Sequence, residues 1–595
     1  MKNTTLVRRV STLFFTLTFA TLAWSQAALK PLTLDEQVSH SDAIVEGKVI
    51  SKASFWNADR TNIYTVNTVE VYKSFKGEVQ PTIEIITSGG TVDLEMEIVS
   101  PSLSLQTNSI GVFFLNNSSQ QLQRSSTLPA YRSHSSVQGF YQYDIETDRA
   151  VSAVERIDGI TTTLYQELQN KTGRQLQSLN DFNPDTKRAS MATTNSRSAI
   201  AVTNISPMVA TAGTKTTITI TGSGFGTVMG DVGFSNSDYG GMLYYDALES
   251  QIMSWSDTEI VVEVPDKAGT GAIRIRHDDT STQVSGQSLT VEYAHSNAEY
   301  TPTPGTTQYA YFLQHVDTDG NGGYEWQMQT DFDANTAAND AFVRSLDTWR
   351  CNSKINWTVG SPTTVDVIAS DGVNVVRFDN GAELPGGVLG RCTSRFSGCF
   401  DGSGGIDWYV TELDIAFDDT ANWNFSTSAP TASQYDFETV SVHELGHGHQ
   451  LGHVIDSNTI MHYSVSNGVA KRNLDQNDID GGNELQARST SSQVCSEPLM
   501  TNFASCSLGT EDNVLAEGIS LYPNPASDFI NLSNNSPITI ESVEIIDING
   551  RIIQSIQLDT SYGVQRISVN QMRSGIYFFR IQGENAIATK KIIIN

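Results

Sequence analysis

Positive charge is scarce in this chain of 595 residues: 37 Lys and Arg stand against 66 Asp and Glu, a formal charge of −29. So acidic a surface repels nucleic acid and anionic membranes and excludes both as partners. It keeps an exported chain soluble and supplies carboxylates that leave structural Ca2+ open as a second ion. Proline is also sparse, 16 residues beside 45 Gly, which excludes fibrous and proline-rich disordered classes and suits strand-and-turn modules. After residue 25 no apolar run is long enough to span a bilayer, so no transmembrane anchor is expected. Cysteine is absent before Cys351, and the five present end at Cys506. An oxidising compartment would pair them. Cys392 with Cys399 and Cys495 with Cys506 are close enough for small loops, which leaves Cys351 over.

The length exceeds one hydrophobic core and suggests roughly three to five domains. Residues 1–25 read as a cleaved signal peptide. Lys2, Arg8 and Arg9 precede an apolar stretch, and Ala23-Trp24-Ser25 is a small-x-small site before Gln26. Residues 26–171 alternate apolar and polar residues in short runs such as 44–51 and 82–87, a β-domain. Residues 172–198 turn polar, carry Lys187-Arg188, and read as a linker open to proteolysis. Residues 199–293 hold an alternating strand at Thr216–Thr221, ended by Gly222-Ser223-Gly224, and two more strand-like runs after Trp255. This module resembles an IPT/TIG domain, which implies an immunoglobulin-like β-sandwich acting as a spacer or a binding module. Residues 297–492 mix a helix-like segment at 334–351 with strands at 364–370 and 411–418, as suits a compact unit. A Cys-containing linker, 493–513, leads to residues 514–595, again strands and turns. Tyr522-Pro523-Asn524-Pro525, Asn549-Gly550 and Gly575-Ile576-Tyr577 make this last segment similar to the C-terminal sorting domain of Bacteroidetes type IX secretion cargo. That resemblance implies recognition by the type IX machinery and release outside the cell or at its surface.

The chain has 10 histidines, and half of them crowd between His443 and His462 in a stretch that begins HELGHGHQLGH. His443 and His447, four apart, stack on one helical face about one turn apart, the separation two ligands of a tetrahedral zinc require. Glu444 sits beside the first ligand, within reach of a zinc-bound water. His453 lies six residues on, about 120° off that face in a continuing helix. The helix must therefore stop first, and Gly448 and Gly452 make a stop plausible. Asp317–Gly322 matches half of an EF-hand loop, but Met328 stands where its closing Glu belongs, so a hairpin turn is expected there.

This constellation resembles the metzincin metallopeptidases, whose signature is HExxHxxGxxH. The resemblance implies zinc on His443, His447 and His453, with Glu444 as catalytic base. Gln450 replaces the turn glycine, at a cost on the order of 1–2 kcal/mol for a left-handed residue. His449 is then spare and expected to face solvent. Met461, eight residues after His453, matches the methionine turn at the short spacing of the matrixin branch. Tyr463 falls where other branches place a fifth ligand or oxyanion stabiliser. Asp475 and Asp478 resemble the acidic residues of the closing matrixin helix, or else form a solvated helix start.

The implied protein is multidomain, an α+β metzincin catalytic domain flanked by all-β, immunoglobulin-like modules. Its implied function is secreted, zinc-dependent hydrolysis of peptide bonds in extracellular proteins. The alternative is a cell-surface adhesin whose metallopeptidase domain is inert. The cysteine that silences many matrixins has no counterpart before Cys351. Residues 26–198 are therefore either an inhibitory prodomain working by occlusion or a carboxylate, or a permanent accessory domain.

Overall fold

Alternating apolar and polar residues give each N-terminal strand an inward and an outward face, and these strands close into a ring. The computed structural model describes residues 29–193, 200–277, 282–302, 305–381, 383–504 and, with short breaks, 515–595. The signal segment, Asn549-Gly550 and Cys506 lie outside the described residues. Ala43–Trp56 pairs with Ile63–Lys76 on one side and Ile110–Asn117 on the other, and Thr82–Ser88 and Ala130–Ser133 complete the ring. Val45, Val69, Ile85, Phe113 and Phe140 fill it. The expected linker belongs to this domain as far as Thr193. Gln177–Ser178 pairs with Ile63–Lys76, Phe182 stacks on Tyr72 at 4.5 Å, and Lys187-Arg188 sits on the helix Pro184–Thr193. One strand, β1 (Glu95–Ser100), pairs outside the ring.

Residues 200–294 form two sheets around a shared core that includes Ile220, Phe234, Val262 and Ile275. The last long strand, β2 (Thr282–Ala294), leads directly into the histidine-bearing unit. That unit is built on β3 (Tyr324–Met328), α1 (Thr336–Asn352), β4 (Trp357–Val359), β5 (Asn374–Phe378), β6 (Gly390–Phe400), β7 (Ile406–Phe417), α2 (Phe437–Gly448) and α3 (Gln476–Ser491). The sheet order is β4-β3-β5-β7-β6, parallel except for β6. Trp349 on α1 donates its indole N–H to the Val442 carbonyl of α2 at 2.7 Å and so ties the two helices together. The apolar core runs without a break from the two-sheet module into this unit, so they form one packed body. The C-terminal segment has a separate core around Ile530, Val543, Phe579 and Ile592.

One strand expectation fails. The run 364–370 forms no strand; Thr363 alone bridges to Gln329, and Asp366 turns to the buried guanidinium of Arg377 at 2.9 Å. The strand at 411–418 is interior, since β7 has β6 on one flank and β5 and Tyr309–Gln314 on the other. The rim of the sheet is β6. Its outer edge is taken by β1, antiparallel, from Cys392 opposite Ser100 to Ser397 opposite Glu95.

The cysteines pair differently from the expectation. Cys392 and Cys399 lie on the same strand, seven residues or about 23 Å apart along it, too far for a disulfide. Cys399 instead bonds Cys495, 96 residues away. Cys351, expected to be left over, is disulfide-bonded, and among the described residues buried Cys392 is the free thiol. The expected linker after residue 492 is thereby held against the histidine-bearing unit, where Met500 is buried and Phe503 N–H bonds Lys354 O at 2.9 Å. A closed loop of that length predicts that Cys495→Ser lowers stability by about 2–5 kcal/mol. Thermal unfolding in the absence of reductant checks it.

Candidate metal centre

Helix α2 begins on Asp436, whose carboxylate accepts the Thr439 N–H at 3.1 Å and is gripped by Arg472 at 2.5 Å. It ends where the sequence required an end. Leu451 N–H bonds Gly446 O at 3.0 Å and Gln450 N–H bonds His447 O at 2.9 Å, the paired bonds of a Schellman cap. Gln450 holds the left-handed position of that cap, with φ of 66°. Its buried amide offsets the strain by donating to Ser394 Oγ at 3.2 Å and to Gly448 O at 3.0 Å. Ser296 N–H adds a bond to Gln450 O at 2.9 Å. The turn stands without glycine because its side chain and carbonyl are tied on both sides.

This reversal brings His453 to the other two imidazoles. Candidate ligand atoms of His443, His447 and His453 lie within 4.8 Å of one another, and the Nε2 atoms of His447 and His453 are 3.1 Å apart. Each Nδ1 faces an oxygen that can only accept: Ile460 O at 2.9 Å, Leu451 O at 3.0 Å and Asp238 Oδ1 at 2.8 Å. Nδ1 therefore carries a proton in all three rings, which leaves Nε2 as the nitrogen turned towards the shared point. The buried His443 Nε2 has no hydrogen-bond partner. Burial, with the neighbouring imidazoles, holds His443 well below the usual histidine pKa, and burial brings His447 down to about 3. Three imidazoles turned towards one point fit a zinc ion by geometry and by donor type.

Glu444 is fully buried beside this cluster, and neither carboxylate oxygen has a hydrogen-bond partner. Burial pushes its pKa up to about 8, against the pull of the nearby Cys392 backbone N–H and of Arg391. Gly390, at the start of β6, lies close against it: a Cβ there would sit 3.0 Å from Glu444 Cγ. Met461 lies under the helix at Gly446, where a Cβ would come within 2.2 Å of the methionine sulfur. Asp478 holds that turn in place. Its carboxylate accepts Ile460 N–H at 2.7 Å and Met461 N–H at 3.3 Å, while it forms a capping box with Asp475 at the start of α3. Asp478 is thus a buried brace, not a solvated helix start.

Tyr463 is buried with its hydroxyl against Gly240, and its ring packs on His462 at 4.6 Å. His449, expected in solvent, is fully buried between Trp349 and Trp357, with Nε2 2.9 Å from Ser353 Oγ. At Asp317–Gly322 the carboxylates cap their own turn, Asp317 on Gly320 N–H at 2.8 Å and Asp319 on Asn321 N–H at 2.6 Å. Sequence reasoning missed Asp238, which lies 215 residues before its partner His453 and carries no local signal.

Comparison with known proteins assigns these parts to families. Residues 396–487 match the matrixin family, residues 201–293 the IPT/TIG domain and residues 520–595 the secretion system C-terminal sorting domain. The chain is therefore a multidomain protein with a matrixin domain, an IPT/TIG domain and a secretion sorting domain. Over 92 residues it is 41% identical to Metalloendoproteinase 1 of Glycine max, a match covering 14% of this chain and 30% of that protein. The chain thus spans under a third of that relative's length. A solved BSP domain of a biofilm associated protein aligns with 99% of this chain and 84% of its own, at 9% identity and a TM-score of 0.15. That score carries no argument about fold. Among the described residues, no helix is long and apolar enough to cross a membrane.

Proposed function

We propose that this chain is a secreted, zinc-dependent endopeptidase acting on extracellular proteins, with His443, His447 and His453 as ligands and Glu444 as base. The observation that carries the reading is the convergence of three imidazoles, each fixed through Nδ1 by an acceptor. Zinc held there would polarise a peptide carbonyl and acidify water towards a pKa of about 7. Glu444 would take the proton of the attacking water on its unpartnered carboxylate and return it to the leaving amine. The sheet order, the antiparallel rim strand and the methionine beneath α2 support a metzincin arrangement, and the two-sheet modules support immunoglobulin-like flanks. Tyr463 is the candidate fifth ligand or oxyanion stabiliser, and the backbone of Gly240 bounds its hydroxyl. The sorting domain supports type IX export to the surface or medium, after a leader at residues 1–25. An inert adhesin would need neither the complete ligand set nor Glu444.

We also assign residues 26–198 as an occluding prodomain. β1 engages the backbone edge of β6 that an extended substrate would use. Leu29 bridges Val388, and Lys30 N–H bonds Gly387 O at 2.6 Å, extending the cover towards Glu444. Leu29, Val137 and Val151 close an apolar cluster with Tyr239, Leu243 and Val388. Buried Arg395 on β6 lies 2.7 Å from Glu412 and 3.5 Å from Glu97 of β1. Burial raises Glu97 to about 7, although Arg395 draws it down. Casein digestion by the secreted protein, freed of its N-terminal domain by proteolysis, tests the enzyme reading. A zinc chelator should abolish digestion and added zinc should restore it, whereas chelator-resistant digestion would refute a zinc enzyme.

A further inference from the structure

We infer that Asp238 of the IPT/TIG domain is a positioning residue for the third ligand, so that this domain completes the metal centre. The inference rests on the zinc site proposed above. His443 and His447 stand on α2, and their Nδ1 atoms face backbone carbonyls. His453 stands beyond the helix, and its Nδ1 faces a side chain from another domain, Asp238 Oδ1 at 2.8 Å. A carboxylate in that place fixes the ring's tautomer and angle and raises the basicity of Nε2.

Asp238 is held for this contact. It lies in the short turn Ser237–Tyr239, where Asn236 Oδ1 accepts its N–H at 2.9 Å. Ser237 N–H and Oγ both bond Lys267 O, at 3.0 and 3.1 Å, and Gly241 N–H returns to Asn236 O at 2.8 Å. The same surface grips the far side of the ligand loop. A Cβ on Gly240 would meet the Tyr463 hydroxyl at 2.4 Å, and one on Gly269 would meet Ile455 Cδ1 at 2.6 Å. Gly452 N–H, next to His453, bonds Ala294 O at the end of β2 at 2.8 Å. A mere spacer needs none of these fitted approaches.

The test is zinc affinity of the full chain, measured by competition with a chromophoric chelator. Asp238→Ala should weaken zinc about 10–100-fold. Asp238→Asn, whose amide oxygen can still accept from Nδ1, should recover most of that loss. Asp246→Ala, which removes a carboxylate bonded to Arg274 and Arg276 in the same domain, should leave affinity unchanged. Unchanged affinity in Asp238→Ala, or an equal loss in Asp246→Ala, would overturn the inference. If the unaltered chain takes up no zinc, the metal-site reading fails first and the role of Asp238 falls with it.

Discussion

Glu444→Gln is expected to lower peptide hydrolysis by about 10²–10⁴-fold while zinc stays bound. The substitution keeps the size of the side chain and removes its ability to take a proton, and general-base catalysis contributes about that factor. At about 1.36 kcal/mol per decade, the loss corresponds to roughly 3–5 kcal/mol of transition-state stabilisation. The three histidines would hold the metal through Nε2 atoms, without Glu444, so zinc content should match the unaltered chain. Turnover of a fluorogenic peptide alongside zinc analysis separates the two effects. Undiminished turnover in Glu444→Gln would exclude this residue as the base, and lost zinc would make it a structural support.

Dislodging β1 is expected to raise activity at least about tenfold. In the intact chain six residues of β1 pair with β6, and both Glu444 carboxylate oxygens are buried without partners. An extended substrate needs the same β6 backbone groups, so one strand excludes the other. Glu97→Lys would place a second cation against Arg395 in a buried site and leave Arg395 with one carboxylate fewer. Breaking a buried pair costs on the order of 3–5 kcal/mol, enough to shift a closed state towards an open one without cutting the chain. Proteolysis between Pro184 and Ile200, followed by removal of the N-terminal domain, should give a similar rise. Full-length protein as active as both altered forms would make residues 26–198 a permanent accessory domain.

The legible parts of this molecule are local. The stretch from His443 to His453 with Met461 marked the candidate ligand set, because four-residue spacing on a helix needs no tertiary information. The demand that the helix stop before His453 was also local, and the Schellman cap at Gln450 meets it. What held Gln450 in place was not local: its partners Ser394 and Ser296 lie 56 and 154 residues before it. His449 was misread because spacing tells which face a residue occupies, not that Trp349 and Trp357 would cover that face. Alternation marks β7 as a strand without saying who its neighbours are. Its tail, Leu413 to Phe417, is buried on both faces, as an interior strand must be.

By itself, then, the sequence determined the chemistry of the centre: three imidazoles, a carboxylate and a methionine at spacings that only a helix and a reversal can satisfy. Tertiary structure alone decided the rest, because hydrogen bonds and sheet edges join residues by position in space and not by order along the chain. It put Asp238 on His453, joined Cys399 to Cys495, and laid β1 along the strand where a substrate would lie.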